Sequence, residues 1–299
     1  MVAEAFRILF PLFFLILGGY VMNFFFDIAE ETLVRVITDF FMPLLIVSSL
    51  ASSNIDFGTV GKLAGATTMV VLVLLVLSLL YCRIRGADKR SFVPPVIFMN
   101  SGFLGIPLME LWGGLGAMNL IIIYDQIQTI FIFTLGIIIV TGSFSRKGLR
   151  EIALSPILWA IVVGFGLRFL GLGLPGVVQS AFEFGGRVAP PLAAFALGVS
   201  LYGKKIVPDR DIAAAIVLRM VVGFAVGLAA VLLFRIEGTA ATVVVVASSL
   251  PAAVFSYVLP ARYGVDSPHP GMTVLLTTVV GVVSIPFSFR LAEAILAAL

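Results

Sequence analysis

The amino-acid sequence predicts an all-α polytopic membrane protein. Of its 299 residues, 61% are hydrophobic and 12% are charged, and the mean hydropathy is +1.17. Apolar runs of about 20 residues, the length that crosses a bilayer as a helix, recur from one end of the chain to the other. The polar breaks between these runs are short, so we expect no separate soluble domain.

These apolar runs predict ten transmembrane helices, called spans 1 to 10 below. The first run, Ala5 to Phe26, is too long for the core of a signal peptide, and we expect it to be retained as span 1. The predicted spans are residues 4–25, 33–53, 60–82, 92–112, 116–141, 156–173, 177–202, 211–234, 240–263 and 271–298.

The basic residues predict the orientation of the chain. The loops after spans 3, 5, 7 and 9 share one side of the membrane and hold eleven Lys and Arg residues, whereas the opposite side holds five. The positive-inside rule therefore places both termini outside the cytoplasm. The net charge of +3 is explained by these loops, so no nucleic-acid partner is expected.

The two halves of the sequence resemble each other. Residues 41–45 of span 2 match residues 189–193 of span 7 at an offset of 148, with prolines near the middle of both spans. Span 4 matches span 9 at an offset of 151, which places Asn100 over Pro251. Because each half holds five spans, the sequence predicts two inverted five-helix repeats, residues 1–145 and 146–299.

Spans 4 and 9 are interrupted near their middles by polar residues, glycine and proline. A backbone polar group that faces lipid without a partner is costly, so such breaks must line a protein cavity. In transporters, the helix ends at such breaks point toward the solute, and helix amino termini favour anions. The predicted substrate-binding residues are Asn100, Ser101, Gly102, Gly105, Pro107, Ser249, Pro251 and Ala252. Alternatively, the Asn and Ser side chains satisfy backbone groups freed by the prolines, and the two roles can coexist.

Polar candidates for coupling also lie within the spans: Asp39, Asp125, Gln128, Glu183 and Arg187. Each ionised group costs about 2.5–3.5 kcal/mol in a span unless it is paired or hydrated, so we expect these groups to face the protein interior. Asp125 is either a proton-coupling carboxylate or a hydrogen-bonding group between helices. The Arg35/Asp39 and Glu183/Arg187 pairs, each spaced i, i+4, are interpreted as buried structural ion pairs.

Several classes of enzyme lack their motifs here. The sequence contains no phosphate-binding loop, no His-Glu-x-x-His motif and no nucleophile elbow, and His269 is its only histidine. We therefore expect no metal and no cofactor. An intramembrane enzyme, such as a lipid-modifying transferase, is a further alternative that would need a carboxylate or histidine cluster near the interface.

The motif Asn100-Ser101-x-x-x-Gly105-Ile106-Pro107-Leu108 resembles that of helix 4 in the auxin efflux carrier family. This family includes the plant auxin carriers and bacterial organic-acid carriers. The further stretches that agree are Pro43-Leu44-Leu45 in span 2, residues 192–198 in span 7, and Leu250-Pro251 with Tyr263-Gly264-Val265 in span 9.

The resemblance implies a fold like that of sodium/proton antiporters and bile-acid symporters, with broken helices 4 and 9 crossing. Spans 1, 2, 6 and 7 would form a scaffold, often a homodimer, and spans 3–5 and 8–10 a transport domain that moves like an elevator. The compact chain is similar to the bacterial branch. It implies a carrier of small organic anions, auxin-like carboxylates included, in a bacterial-type inner membrane. A sodium-coupled symporter of the bile-acid type is the first alternative.

Overall fold

The computed structural model describes residues 2–52, 56–142, 153–154, 156–203, 209–263, 265, 267 and 269–298. Over these ranges the chain is helical and contains no β-strand, which confirms the all-α prediction. Five segments of the described chain are long and apolar enough to cross a membrane: Glu30–Ala51, Phe57–Arg85, Ser101–Thr141, Arg210–Phe234 and His269–Ala298. The total of ten spans and their inverted repeats stay predictions.

The chain divides into two compact units, and each draws segments from both halves of the sequence. Unit 1 comprises residues 1–56, 102–122 and 150–202, and unit 2 comprises residues 57–101, 123–149 and 203–299.

Unit 1 contains several α-helices, the second and third of which are joined by a π-helical turn, Ile37–Phe41. They are α1 (Val2–Phe25), α2 (Glu30–Val36), α3 (Met42–Ala51), α8 (Pro156–Phe169), α9 (Gly176–Gly186) and α10 (Ala189–Leu201). Helix α1 packs on α10, and α3 packs on α8 and α9. Glycine allows the first contact, because a Cβ at Gly198 would overlap the carbonyl oxygen of Ile16, and one at Gly19 would overlap that of Phe195.

Unit 2 carries α4 (Phe57–Arg85), α5 (Lys89–Ile97), α7 (Ile137–Thr141), α11 (Arg210–Ile216), α12 (Gly223–Phe234), α13 (Gly238–Ser248), α14 (Phe255–Arg262) and α15 (His269–Ala298). A π-helical turn, Val217–Val222, joins α11 to α12. Aspartates start two of these helices: Asp88 accepts a hydrogen bond from the amide of Arg90 (3.1 Å), and Asp209 from that of Ile212 (2.8 Å). Valines 243–246 of α13 are fully buried.

The remaining helix, α6 (Ile106–Phe131), runs from the segment of unit 1 into unit 2. It follows a π-helical turn, Ser101–Gly105, and is interrupted at Gly114, whose φ of 65° and ψ of −159° lie outside the helical region. This break separates predicted spans 4 and 5. Glycine suits the position because a residue with a side chain rarely adopts this conformation.

Span 7 differs from the prediction of one continuous helix. Its two helical segments, α9 and α10, are separated at Arg187 and Val188, immediately before Pro190 and Pro191. Prolines lack the N–H group that would continue the helix across this point, so they are placed at the start of the second segment.

The prediction that Asp39, Glu183 and Arg187 face the interior is wrong, because the structure exposes all three on unit 1. Arg35 pairs with Glu31 at 3.9 Å instead of with Asp39. Glu31 and Asp39 both lie four residues from Arg35. Because this face of the helix is exposed, the Arg35 side chain can pair with Glu31. Glu183 accepts a hydrogen bond from Gln179 (2.6 Å). These side chains therefore do not form the buried ion pairs expected.

Candidate functional site

Two interrupted helices meet inside unit 2. Helix α5 ends at Ile97, and the next residue, Phe98, is extended. Helix α13 ends at Ser248 and is followed by a turn at Ser249 and Leu250 before the chain reaches Pro251. The amide of Asn100 donates to the carbonyl of Pro251 (2.8 Å), and the amide of Ala253 donates to the carbonyl of Phe98 (2.9 Å). The two backbones thus cross as a short antiparallel bridge, called the crossover below, which satisfies polar groups that a helix would otherwise satisfy.

Side chains from neighbouring helices satisfy the remaining amides at the bridge. The amide of Met99 donates to Oε1 of Gln128 (3.0 Å), and Nε2 of Gln128 donates back to the carbonyl of Met99 (2.6 Å). On the other segment, the amide of Ala252 donates to Oγ1 of Thr277 (3.0 Å). Gln128 and Thr277 are buried, so these bonds hold the crossover in one conformation.

Asp125 joins this network through Ser101. The Ser101 hydroxyl donates to Oδ1 of Asp125 (2.7 Å) and accepts from Nε2 of Gln128 (3.0 Å). Asp125 and Gln128 are spaced i, i+3 on one helix, which places both side chains on the same face. A continuous chain of hydrogen bonds therefore connects the Asp125 carboxylate to the backbone of Met99.

Within the described chain, Asn100 lacks a partner that its neighbours at the bridge have. Its side chain is only 2% exposed, yet among the residues that the structure describes its Nδ2 has no hydrogen-bond partner. A buried amide donor without a partner is costly and needs an explanation. At the crossover, this donor is available to an acceptor on a solute.

Two buried residues that sequence reasoning missed also contact the crossover. The Tyr124 hydroxyl lies 2.9 Å from Sδ of Met99 and 3.1 Å from Oγ of Ser248. Arg219 donates from Nη1 to the carbonyl of Val96 (2.7 Å) and from Nη2 to the carbonyl of Ser248. Both side chains are fully buried. The available signal for Arg219 was a lone cation in an apolar run, but its partners are backbone atoms that no sequence pattern identifies.

The other predicted site residues divide between the two units. In unit 2, the Ser249 hydroxyl donates to the carbonyl of Val246 (2.9 Å), so it satisfies a carbonyl in the last turn of the preceding helix, α13. Gly102, Gly105 and Pro107 lie in the segment of unit 1 that follows Ser101, where Pro107 is the second residue of α6. Asp39, Glu183 and Arg187 also belong to unit 1.

No set of three or more His, Cys, Asp or Glu side chains with metal-binding geometry lies within the described ranges. Asp125 is the acidic group at the crossover, and it accepts from the Ser101 hydroxyl and, at 3.4 Å, from Nε2 of Gln126. The chemistry of this site is that of hydrogen-bond donors and one carboxylate, which suits reversible binding of a polar solute.

Comparisons with known proteins place the sequence among membrane transport proteins. The sequence model of a family described as "Membrane transport protein" matches residues 5–146 and 141–289. A protein described as "Uncharacterized transporter" from Methanothermobacter thermautotrophicus is 27% identical over 296 residues, which cover 91% of this chain and 93% of that protein.

Proposed function

The chain belongs to the membrane transport protein family, that of the auxin efflux carriers, and we propose that it carries small organic anions across the membrane. In this proposal it is a secondary transporter, and the solute binds at the crossover. The proposed solutes are small carboxylates, and auxin-like carboxylates belong to this class.

The observation that carries the proposal is the free donor of Asn100. Its Nδ2 is buried and unpartnered among the described residues, although the backbone amides around it are satisfied. A carboxylate oxygen is the acceptor that this donor lacks, and binding it would remove the cost of the unsatisfied group. The helical segments after the breaks begin at Ser101 and Phe255, and their amino ends favour a negative charge.

The proposed architecture is ten spans in two inverted repeats, residues 1–145 and 146–299. Spans 1, 2, 6 and 7 form the scaffold, and spans 3–5 and 8–10 move as a transport domain by an elevator-type mechanism. The chain lies in a bacterial-type inner membrane with both termini outside the cytoplasm, as a homodimer through the scaffold. The observation that supports the orientation is the eleven-to-five distribution of basic loop residues.

Asp125 is the proposed coupling group. Its carboxylate accepts from Ser101, and protonation would weaken this hydrogen bond and add an O–H donor next to the solute site. The Asp125→Asn variant keeps an acceptor for Ser101 and removes the titratable proton. We expect it to bind the solute as the wild type does but to lose the dependence of transport on a proton gradient, measured as uptake into liposomes at two internal pH values. Wild-type pH dependence in this variant would assign Asp125 to helix packing only.

The proposal is tested by thermal shift of purified protein against a panel of carboxylates, with and without sodium, at two pH values. A ligand that binds the folded state raises the free energy of unfolding, and with it the transition temperature, by an amount that grows with the logarithm of its concentration above the dissociation constant. We expect a carboxylate to raise it, and expect no shift from the matching alcohol or amide. Stabilisation by neutral or cationic solutes alone would refute the anion site, and a sodium-requiring response would favour the symporter of the bile-acid type.

A further inference from the structure

Arg219 is a fully buried cation at the crossover. It lies in the π-helical turn between α11 and α12, and its side chain is 0% exposed. Across the described chain no carboxylate lies within 4.0 Å of its guanidinium, and its partners are two backbone carbonyls. Burying a charge in a membrane protein is costly unless something compensates it, so the compensation must come from those carbonyls.

Both carbonyls belong to the carboxyl ends of interrupted helices. Val96 is in the last turn of α5, and Ser248 is the last residue of α13. The final carbonyls of a helix have no partner within it, and each helix carries a partial negative charge at this end. Two negative helix ends therefore point at one guanidinium, which neutralises both.

The residue one turn after Arg219 is Gly223, and it gives the guanidinium room. A Cβ at Gly223 would overlap the carbonyl oxygen of Ser248 and would lie 2.7 Å from Nη2 of Arg219. A Cβ at Gly227, one turn further, would lie 2.6 Å from the Cβ of Ser248. The close approach of α12 to the end of α13 therefore depends on the absence of side chains at these two positions.

We propose that Arg219 is a tethered cation, which fills a site that the two helix ends would otherwise offer to a soluble monovalent cation. Carbonyl oxygens at helix ends are ligands for such ions. In the wild-type protein the guanidinium occupies this site permanently, so no soluble cation is required there. Removal of the guanidinium opens the site. This inference does not depend on which solute the protein carries.

The test is the thermal stability of Arg219→Ala, purified in choline chloride, as methylguanidinium chloride or sodium chloride is added. We expect methylguanidinium to raise the transition temperature of the variant by about 3 °C at ten times its dissociation constant, and to raise it further with the logarithm of its concentration. The wild type is expected not to respond to either cation. An alanine variant that responds to neither cation would overturn the proposal.

Gly223→Ala is the matched control, because it crowds the same contact without changing the charge. We expect it to be destabilised but not to respond to either cation, which separates cation binding from general rescue of a weakened protein. An equal methylguanidinium response in Gly223→Ala would also refute the proposal.

Two further variants decide the question if Arg219→Ala does not fold. Arg219→Lys keeps the charge, and Arg219→Gln keeps a neutral donor on a shorter side chain. We expect the lysine variant to have a transition temperature about 3 °C or more above that of the glutamine variant, because charge at the helix ends is what is required. Equal transition temperatures would show that Arg219 acts only as a hydrogen-bond donor, and the tethered-cation proposal would fail.

Discussion

Gln128→Leu tests whether the crossover is held together by its side-chain partners. Leucine is similar in volume to glutamine and removes three hydrogen bonds, those with the amide of Met99, the carbonyl of Met99 and the hydroxyl of Ser101. The carbonyl of Met99 keeps a bond from the Ser101 amide (2.9 Å), and Ser101 keeps Asp125. The amide of Met99 is the group that is left unsatisfied and buried.

The expected cost follows from these partners. One orphaned buried amide costs about 1–3 kcal/mol, and the other two lost bonds cost about 0.5–1.5 kcal/mol each, which together give about 2–6 kcal/mol. At about 2 °C per kcal/mol for a chain of this length, this loss lowers the transition temperature by about 4–12 °C.

The assay uses the lone cysteine of the chain. Cys82 is 8% exposed, so a thiol-reactive dye reports unfolding without an added label. The control is Gln126→Leu, a buried glutamine two residues away with a single long bond, from Nε2 to Asp125 (3.4 Å), and an unpaired Oε1 among the described residues. We expect Gln126→Leu to change stability by less than about 1 kcal/mol. Equal losses in the two variants would refute the reasoning.

Two further predictions concern single contacts. Thr277→Val removes the acceptor of the Ala252 amide and is expected to cost about 1–3 kcal/mol, whereas Thr278→Val, whose hydroxyl bonds only its own helix at Val274 (2.8 Å), is expected to cost less than about 1 kcal/mol in the same dye assay. Gly198→Ala places a methyl group against the carbonyl of Ile16 and is expected to cost about 1–3 kcal/mol, whereas Gly18→Ala has open space around it and is expected to be neutral. Equal transition temperatures within either pair would contradict the corresponding contact.

The sequence predicted the fold class because apolar runs of membrane-spanning length are visible without any knowledge of packing. It also singled out residues at the crossover, since Asn, Ser, Gly and Pro in the middle of an apolar run conflict with an unbroken helix. Asn100 and Pro251, which align at the offset of 151, hydrogen-bond to each other through their backbones. The prediction of the crossover residues therefore depended on how these residue types interrupt a helical backbone.

Partner choice was the part that the sequence did not determine. Arg35 has an acid four residues away on either side, and spacing alone does not distinguish Glu31 from Asp39. Arg219 binds carbonyls of two distant helices, and carbonyls have no sequence signature. In the sequence, Tyr124 resembles any other large side chain in an apolar run. Its bond to Ser248 joins residues 124 positions apart, so no local pattern reveals it.

The most direct measurement of the central claim is carboxylate uptake into liposomes by wild-type protein, Asn100→Ala, Asn100→Asp and a control, Asn23→Ala. Asn23 is in α1 of unit 1, where its Nδ2 bonds the carbonyl of Val199 (3.3 Å). If the buried donor of Asn100 binds the anion, Asn100→Ala loses uptake by about 10-fold or more, and Asn100→Asp, which places a negative charge at the site, loses more. Asn23→Ala is expected to transport as the wild type does. Wild-type uptake by folded Asn100→Ala would contradict an anion site at the crossover.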